Sequence, residues 1–141
     1  MSDGPPVVVE RLDAVTRLTL DRPRQHNPLT PRCIRLLLAA VDEAADDTDV
    51  RVVVIRGSGP SFSSGYGILP DDLEPGDADP PAGLEGDVAA MLGLAAGWAR
   101  LWHCPIPVVA QVHGRCLAGG TDLALHCDLV IAAEDAELGF P

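Results

Sequence analysis

The 141-residue chain contains no lysine; all ten of its basic residues are arginine. Chemistry that depends on a lysine, whether a Schiff base or the phosphate-cradling P-loop, is therefore excluded. Long hydrophobic runs are also missing. The longest strictly apolar stretches, such as Leu36–Val41, fall far short of the ~18–20 residues that cross a bilayer. The opening MSDGPPVVVERLD has early acids and no basic region leading into an apolar one, so it does not read as a secretory signal. No two of the four cysteines (33, 104, 116 and 127) have CxxC spacing. They are expected to be free thiols in a cytoplasmic protein, acting as small buried hydrophobes. His103-Cys104 and His126-Cys127 lack the paired short spacings of a zinc site, and no metal is expected.

What is present is ordinary for one globular domain: 47% hydrophobic and 22% charged residues. The net charge of −11 repels nucleic acid and anionic membrane surfaces, so neither is an expected partner. Between Gly57 and Ala99 there are seven acids and no base. Most of these acids fall in Pro70–Gly86, which is also rich in Pro and Gly; a mobile acidic loop is expected there.

Val7–Val9 and Val15–Leu20 read as a hairpin, ended by Asp21-Arg22-Pro23. Thr30-Pro31 is a helix start, with Thr as N-cap and Pro at the first helical position. Ile34, Leu37, Leu38 and Val41 follow at helical spacing, and the acids Asp46–Asp49 oppose the dipole at the far end. RVVVIR (51–56) reads as a strand buried on both faces. Asp87 is a candidate N-cap for a second helix to His103, with Val88, Met91, Leu92, Ala95, Ala99 and Trp102 on one face. Strands are expected at 107–112 and 129–132, with a short helix at 121–127. Alternating strands and helices make the fold class α/β with parallel strands.

Two glycine turns carry the chemical signal: GSGPSFSSGYGI (57–68) and HGRCLAGGTDLAL (113–125), each directly after a strand. Such turns expose backbone N–H groups, and a helix start adds its dipole. Side by side, they could aim one donor each at a single oxygen, forming an oxyanion hole; one such donor contributes ~2.7–4 kcal/mol in a transition state. Taken alone, either turn is simply a turn. Neither the dinucleotide G-x-G-x-x-G nor the G-x-S-x-G nucleophile elbow is present.

LTLDRPRQHNPLT (18–30), RVVVIRGSGPSFSSGYGI (51–68) and PVVAQVHGRCLAGGTDLALHCDLVIAAEDAELGFP (107–141) resemble the crotonase superfamily, the enoyl-CoA hydratase/isomerase group. The resemblance implies a ββα-spiral core and an acyl-CoA thioester as substrate. Coenzyme A enters as part of that substrate, with no separate cofactor. By motif position, the N–H groups of Tyr66 and Gly119 would hold the thioester oxygen. Ser64, Gly65, Ile68 and Gly120 would line the acyl site. Arg24 and His26 are candidate contacts to the coenzyme A; a solvated Arg and a packed His are the alternatives.

Asp122 stands where hydratases of the family carry a catalytic Glu. It reads either as the acid/base group or as a helix-start carboxylate interacting with the dipole. The side chain is one methylene shorter than Glu. Tyr66 and Gly67 replace the Ala-Asp common in the family's first turn; the ring either shapes the acyl pocket or packs on the second glycine turn. Family members run to about twice this length. The resemblance therefore implies an N-terminal part lacking a C-terminal helical region, and a homo-oligomer, trimer or hexamer, for the full-length form.

Overall fold

The computed structural model describes residues 4–75, 77 and 83–141. Strands β1 (Val7–Leu12) and β2 (Val15–Leu20) form the expected antiparallel hairpin, with Val7 opposite Leu20. Its turn places Asp13 at φ 53°, a left-handed conformation that Asp tolerates better than most residues. Helix α1 (Pro31–Asp46) begins where the sequence places it. Thr30 Oγ1 accepts the Cys33 N–H at 3.1 Å, and Pro31 takes the first helical position. It buries Cys33, Leu37, Leu38, Val41 and Ala44, and stops where the acid run begins to oppose its dipole.

Strands β3 (Val52–Gly57), β4 (Val108–Val112) and β6 (Leu129–Ala132) extend the sheet in the order β1-β2-β3-β4-β6. Every pairing beyond the hairpin is parallel. Asp128 sets the last pairing: its backbone N–H donates to the Val108 carbonyl at 2.8 Å, and its carboxylate accepts the Val108 N–H at 2.7 Å. Strand β3 departs from expectation. Val53 and Ile55 are fully buried, but the alternate face is only half covered, and there Arg56 donates to Thr19 Oγ1 at 3.1 Å.

A second, minor sheet was not legible in advance. Strands β5 (Arg115–Leu117) and β7 (Glu137–Gly139) pair in parallel, and single bridges join Ser63 to Cys116 and Tyr66 to Leu29. Each turn of the chain thus places a strand in the large sheet, then a short extended piece in the minor one; the first three then add a helix. This is the expected ββα spiral. Leu18, Leu20, Ile55, Phe62, Val108 and Leu123 fill the space inside it, each fully buried side chain stabilising by ~1.5–3 kcal/mol.

Helix α2 spans Gly83–Trp102, starting four residues before Asp87. Its apolar face is mostly uncovered. Trp98 and Leu101 are buried against the rest of the core, whereas Val88, Met91, Leu92 and Trp102 are exposed. Leu129, Val130 and Ile131 of β6 are exposed too. Helix α3 (Gly119–His126) begins two residues earlier than the sequence reading. The acidic segment 70–86 is not one loop: Pro70–Asp72 make a 3-10 turn and 83–86 belong to α2. Glu74 bridges Arg22 and Arg32, and Asp77 accepts the Glu74 N–H at 2.8 Å. Residues 76 and 78–82, on which the expected mobility also falls, lie outside the described residues.

Candidate active site

The two glycine turns meet. Gly65 adopts φ +113°, and a Cβ there would stand 3.0 Å from Leu117 O and 3.4 Å from Gly119 N. Only a residue without a side chain permits that approach. Leu29 N–H donates to Gly65 O at 2.7 Å, and Gly67 N–H donates to Leu29 O at 3.0 Å. These bonds flank Tyr66, whose own N–H has no acceptor among the described residues.

In the second turn, Ala118 is held at φ 46°, ψ −115°. Its N–H donates to Gly139 O at 2.8 Å, and its carbonyl accepts the Asp122 N–H at 3.0 Å. Backbone strain of this kind costs ~1–3 kcal/mol and persists only where the surroundings enforce it. The result is that Gly119 opens α3 with its N–H free of any acceptor among the described residues, at the positive end of the helix dipole.

Asp122 follows three residues later, half-buried in the first turn of α3. The Tyr66 phenol donates to Asp122 Oδ2 at 2.6 Å, and Trp98 Nε1–H donates to the phenol oxygen at 3.0 Å. The Tyr66 ring lies on Gly119, where a Cβ would come within 2.8 Å of three ring carbons. Of the two readings of this ring, the geometry is that of packing on the second glycine turn. Burial, joined by the Asp122 carboxylate, pushes the phenol pKa up to about 12, against a smaller opposing effect from Trp98. On the next turn of α3, His126 Nδ1 lies 2.7 Å from Asp122 O, and its ring stacks on Trp102 at 4.5 Å between centroids.

The remaining candidates divide. Ser64 N–H donates to His26 O at 2.7 Å, so the segment after the hairpin lies against the first turn. His26 Nδ1 lies 3.0 Å from Ser61 Oγ, and the ring lines a groove of about 330 Å³ with Arg115, Asp135 and Glu137. Two carboxylates in that groove make it a poor seat for phosphate. Arg24 and Ile68 are exposed and take no part in the hydrogen-bonded cluster. Gly120 is buried with its Cα against Ser63, where a Cβ would meet Ser63 Cβ at 2.9 Å. Cys33, Cys116 and Cys127 are buried free thiols, with pKa values pushed up to about 12, 11 and 12 chiefly by burial. They are inert as nucleophiles at neutral pH.

The family model for enoyl-CoA hydratase/isomerase matches residues 10–141. The chain belongs to the enoyl-CoA hydratase/isomerase family. Among solved structures, an enoyl-CoA hydratase/isomerase from Xanthobacter autotrophicus Py2 is 40% identical with a TM-score of 0.84, covering 96% of this chain and 49% of that one. The 2,3-dehydroadipyl-CoA hydratase of Escherichia coli is 36% identical over 96% of this chain and 49% of its own length. The mitochondrial Delta(3,5)-Delta(2,4)-dienoyl-CoA isomerase of Rattus norvegicus is 31% identical over 86% of this chain and 38% of its own. The chain thus spans about half the length, or less, of these curated relatives.

Two residues that build the site of this hydratase/isomerase-family chain escaped the sequence reading. Asn27 is buried; its amide donates to Ser58 O and Ser61 O at 2.9 Å and to Phe62 O at 3.2 Å, and its Oδ1 accepts the Arg22 N–H at 2.8 Å. It thereby shapes the first glycine turn. Trp98, which the helical face read from the sequence does not include, caps the Tyr66 phenol. No motif spacing announces either role.

Proposed function

We propose that the intact protein is an acyl-CoA hydratase or isomerase acting on an enoyl-CoA thioester. The observation that carries this reading is that the N–H groups of Tyr66 and Gly119, both without an acceptor among the described residues, lie on touching turns beside the Asp122 carboxylate. Two backbone donors suit a thioester oxygen that gains charge as an enolate forms. A carboxylate beside them suits proton transfer at the adjacent carbon. The chemistry asks for aimed donors and one acid/base group, and coenzyme A arrives as part of the substrate. The family resemblance further implies a homo-oligomer for the intact protein.

The test is turnover of crotonyl-CoA by the intact protein, set beside equilibrium binding of a non-reactive acyl-CoA. Turnover is expected, and Gly119→Pro, which removes one donor, lowers it by about 10²–10³-fold or more. Binding without turnover in the parent would instead favour an acyl-CoA-binding protein without catalysis.

A further inference from the structure

The Tyr66 side chain has a role apart from its backbone N–H. We propose that the Tyr66 phenol, braced by Trp98, is a positioning residue for Asp122: it clamps Oδ2 so that Oδ1 is the atom that takes and returns the proton next to the thioester carbonyl. This inference rests on the reading above and assigns an atom to its acid/base step.

Three contacts fix the phenol. Its ring lies on Gly119, its oxygen accepts the Trp98 Nε1–H at 3.0 Å, and its proton goes to Asp122 Oδ2 at 2.6 Å. A phenol has a single proton, so a neighbour that can only donate, such as an indole N–H, turns that proton towards the carboxylate. Short hydrogen bonds to an ionised carboxylate are the strong ones. Asp122 Oδ1 has no hydrogen-bond partner among the described residues. The clamp therefore leaves one acceptor atom and narrows its direction, which matters for a side chain one methylene shorter than Glu.

The step balances. The Cα–H bond of the acyl group breaks and an O–H bond forms at Oδ1. The electron pair moves towards the thioester oxygen, where the Tyr66 and Gly119 N–H groups meet it. The reverse step returns the proton to carbon. Tyr66 thus serves both ends of the transfer, with its amide on the oxygen and its hydroxyl on the base.

Exchange of the α-protons of butyryl-CoA into heavy water reads this step without needing hydration. It is measured on the intact protein, Tyr66→Phe and Asp122→Asn, together with butyryl-CoA dissociation constants. Asp122→Asn is expected to lose ~10²–10⁴-fold in exchange rate. Tyr66→Phe keeps the ring and the amide; it is expected to lose on the order of 10–100-fold, as a misplaced catalytic group does, with binding nearly unchanged.

Tyr66 is the chain's one tyrosine, so on the 141-residue chain tyrosinate absorbance reports it alone. Asp122→Asn is expected to lower the pH at which the phenol ionises, and Trp98→Phe to raise it; a ring that is only packed would respond to neither. Parent-like exchange in Tyr66→Phe overturns the positioning role, as does a loss matched by an equal loss of binding. Full exchange in Asp122→Asn, or none in the parent, overturns the functional reading and this inference with it.

Discussion

The Cα of Gly119 lies so close to the Tyr66 ring that a methyl group there would sit 2.8 Å from Cγ, Cδ1 and Cε1. Gly119→Ala therefore forces the ring away, and with it the phenol that holds Asp122. A loss of ~1–3 kcal/mol in stability is expected, the usual cost of overfilling a packed site. Urea unfolding of parent and variant measures it. Unchanged stability would mean that the ring is free to move aside.

Asn27→Ala should be worse. It removes the side-chain amide from three carbonyls, and the bonds to two of them, Ser61 O and Phe62 O, are buried; a buried carbonyl left without its partner costs ~1–3 kcal/mol. It also puts alanine at φ 55°, where asparagine is better tolerated. A loss of about 3 kcal/mol or more is expected from the same unfolding measurement. A loss below that of an ordinary surface substitution would show that Asn27 does not hold the first glycine turn.

Ala118→Gly tests the strain in the second turn. Glycine relieves ~1–3 kcal/mol of backbone strain at φ 46° and gives back ~0.4–1 kcal/mol through the freer unfolded chain. A net gain of about 1 kcal/mol is expected, read as a higher thermal midpoint. A lower midpoint would place the strain elsewhere.

Alkaline pH should destabilise the fold early. Cys33, Cys116, Cys127 and Tyr66 all have pKa values raised in the folded state, to about 12, 11, 12 and 12. Unfolded thiols ionise near ~8.5 and phenols near ~10. Below those values both states keep their protons and the stabilisation is complete. Above them the unfolded chain loses protons first, so stability falls as pH rises from about 8.5 towards the folded values. Unfolding free energies under reducing conditions at pH 7, 9 and 10 should decline in that order; a flat profile would contradict the burial of these groups.

Much of the large sheet could be read in advance, because its strands hold short runs rich in Val, Ile and Thr and α1 opens on Thr30-Pro31. β5 and β7 could not, since three residues are too few to show a period. For α2, periodicity identified a face that is apolar, but nothing in a period says whether another element covers it. The two glycine turns were legible as turns that expose donors. The Trp98–Tyr66–Asp122 chain was not, because its members are 32 and 56 residues apart and no spacing rule links them.

The contact between Trp98 and Tyr66 also has an optical consequence. A tyrosine this close to an indole passes its excitation to it, so the folded protein should emit almost wholly as tryptophan. When the strands come apart, the pair separates and tyrosine emission returns. Because the 141-residue chain has one tyrosine, that returning band reports the assembly of the candidate active site itself, while the remainder of this chain stays dark at that wavelength.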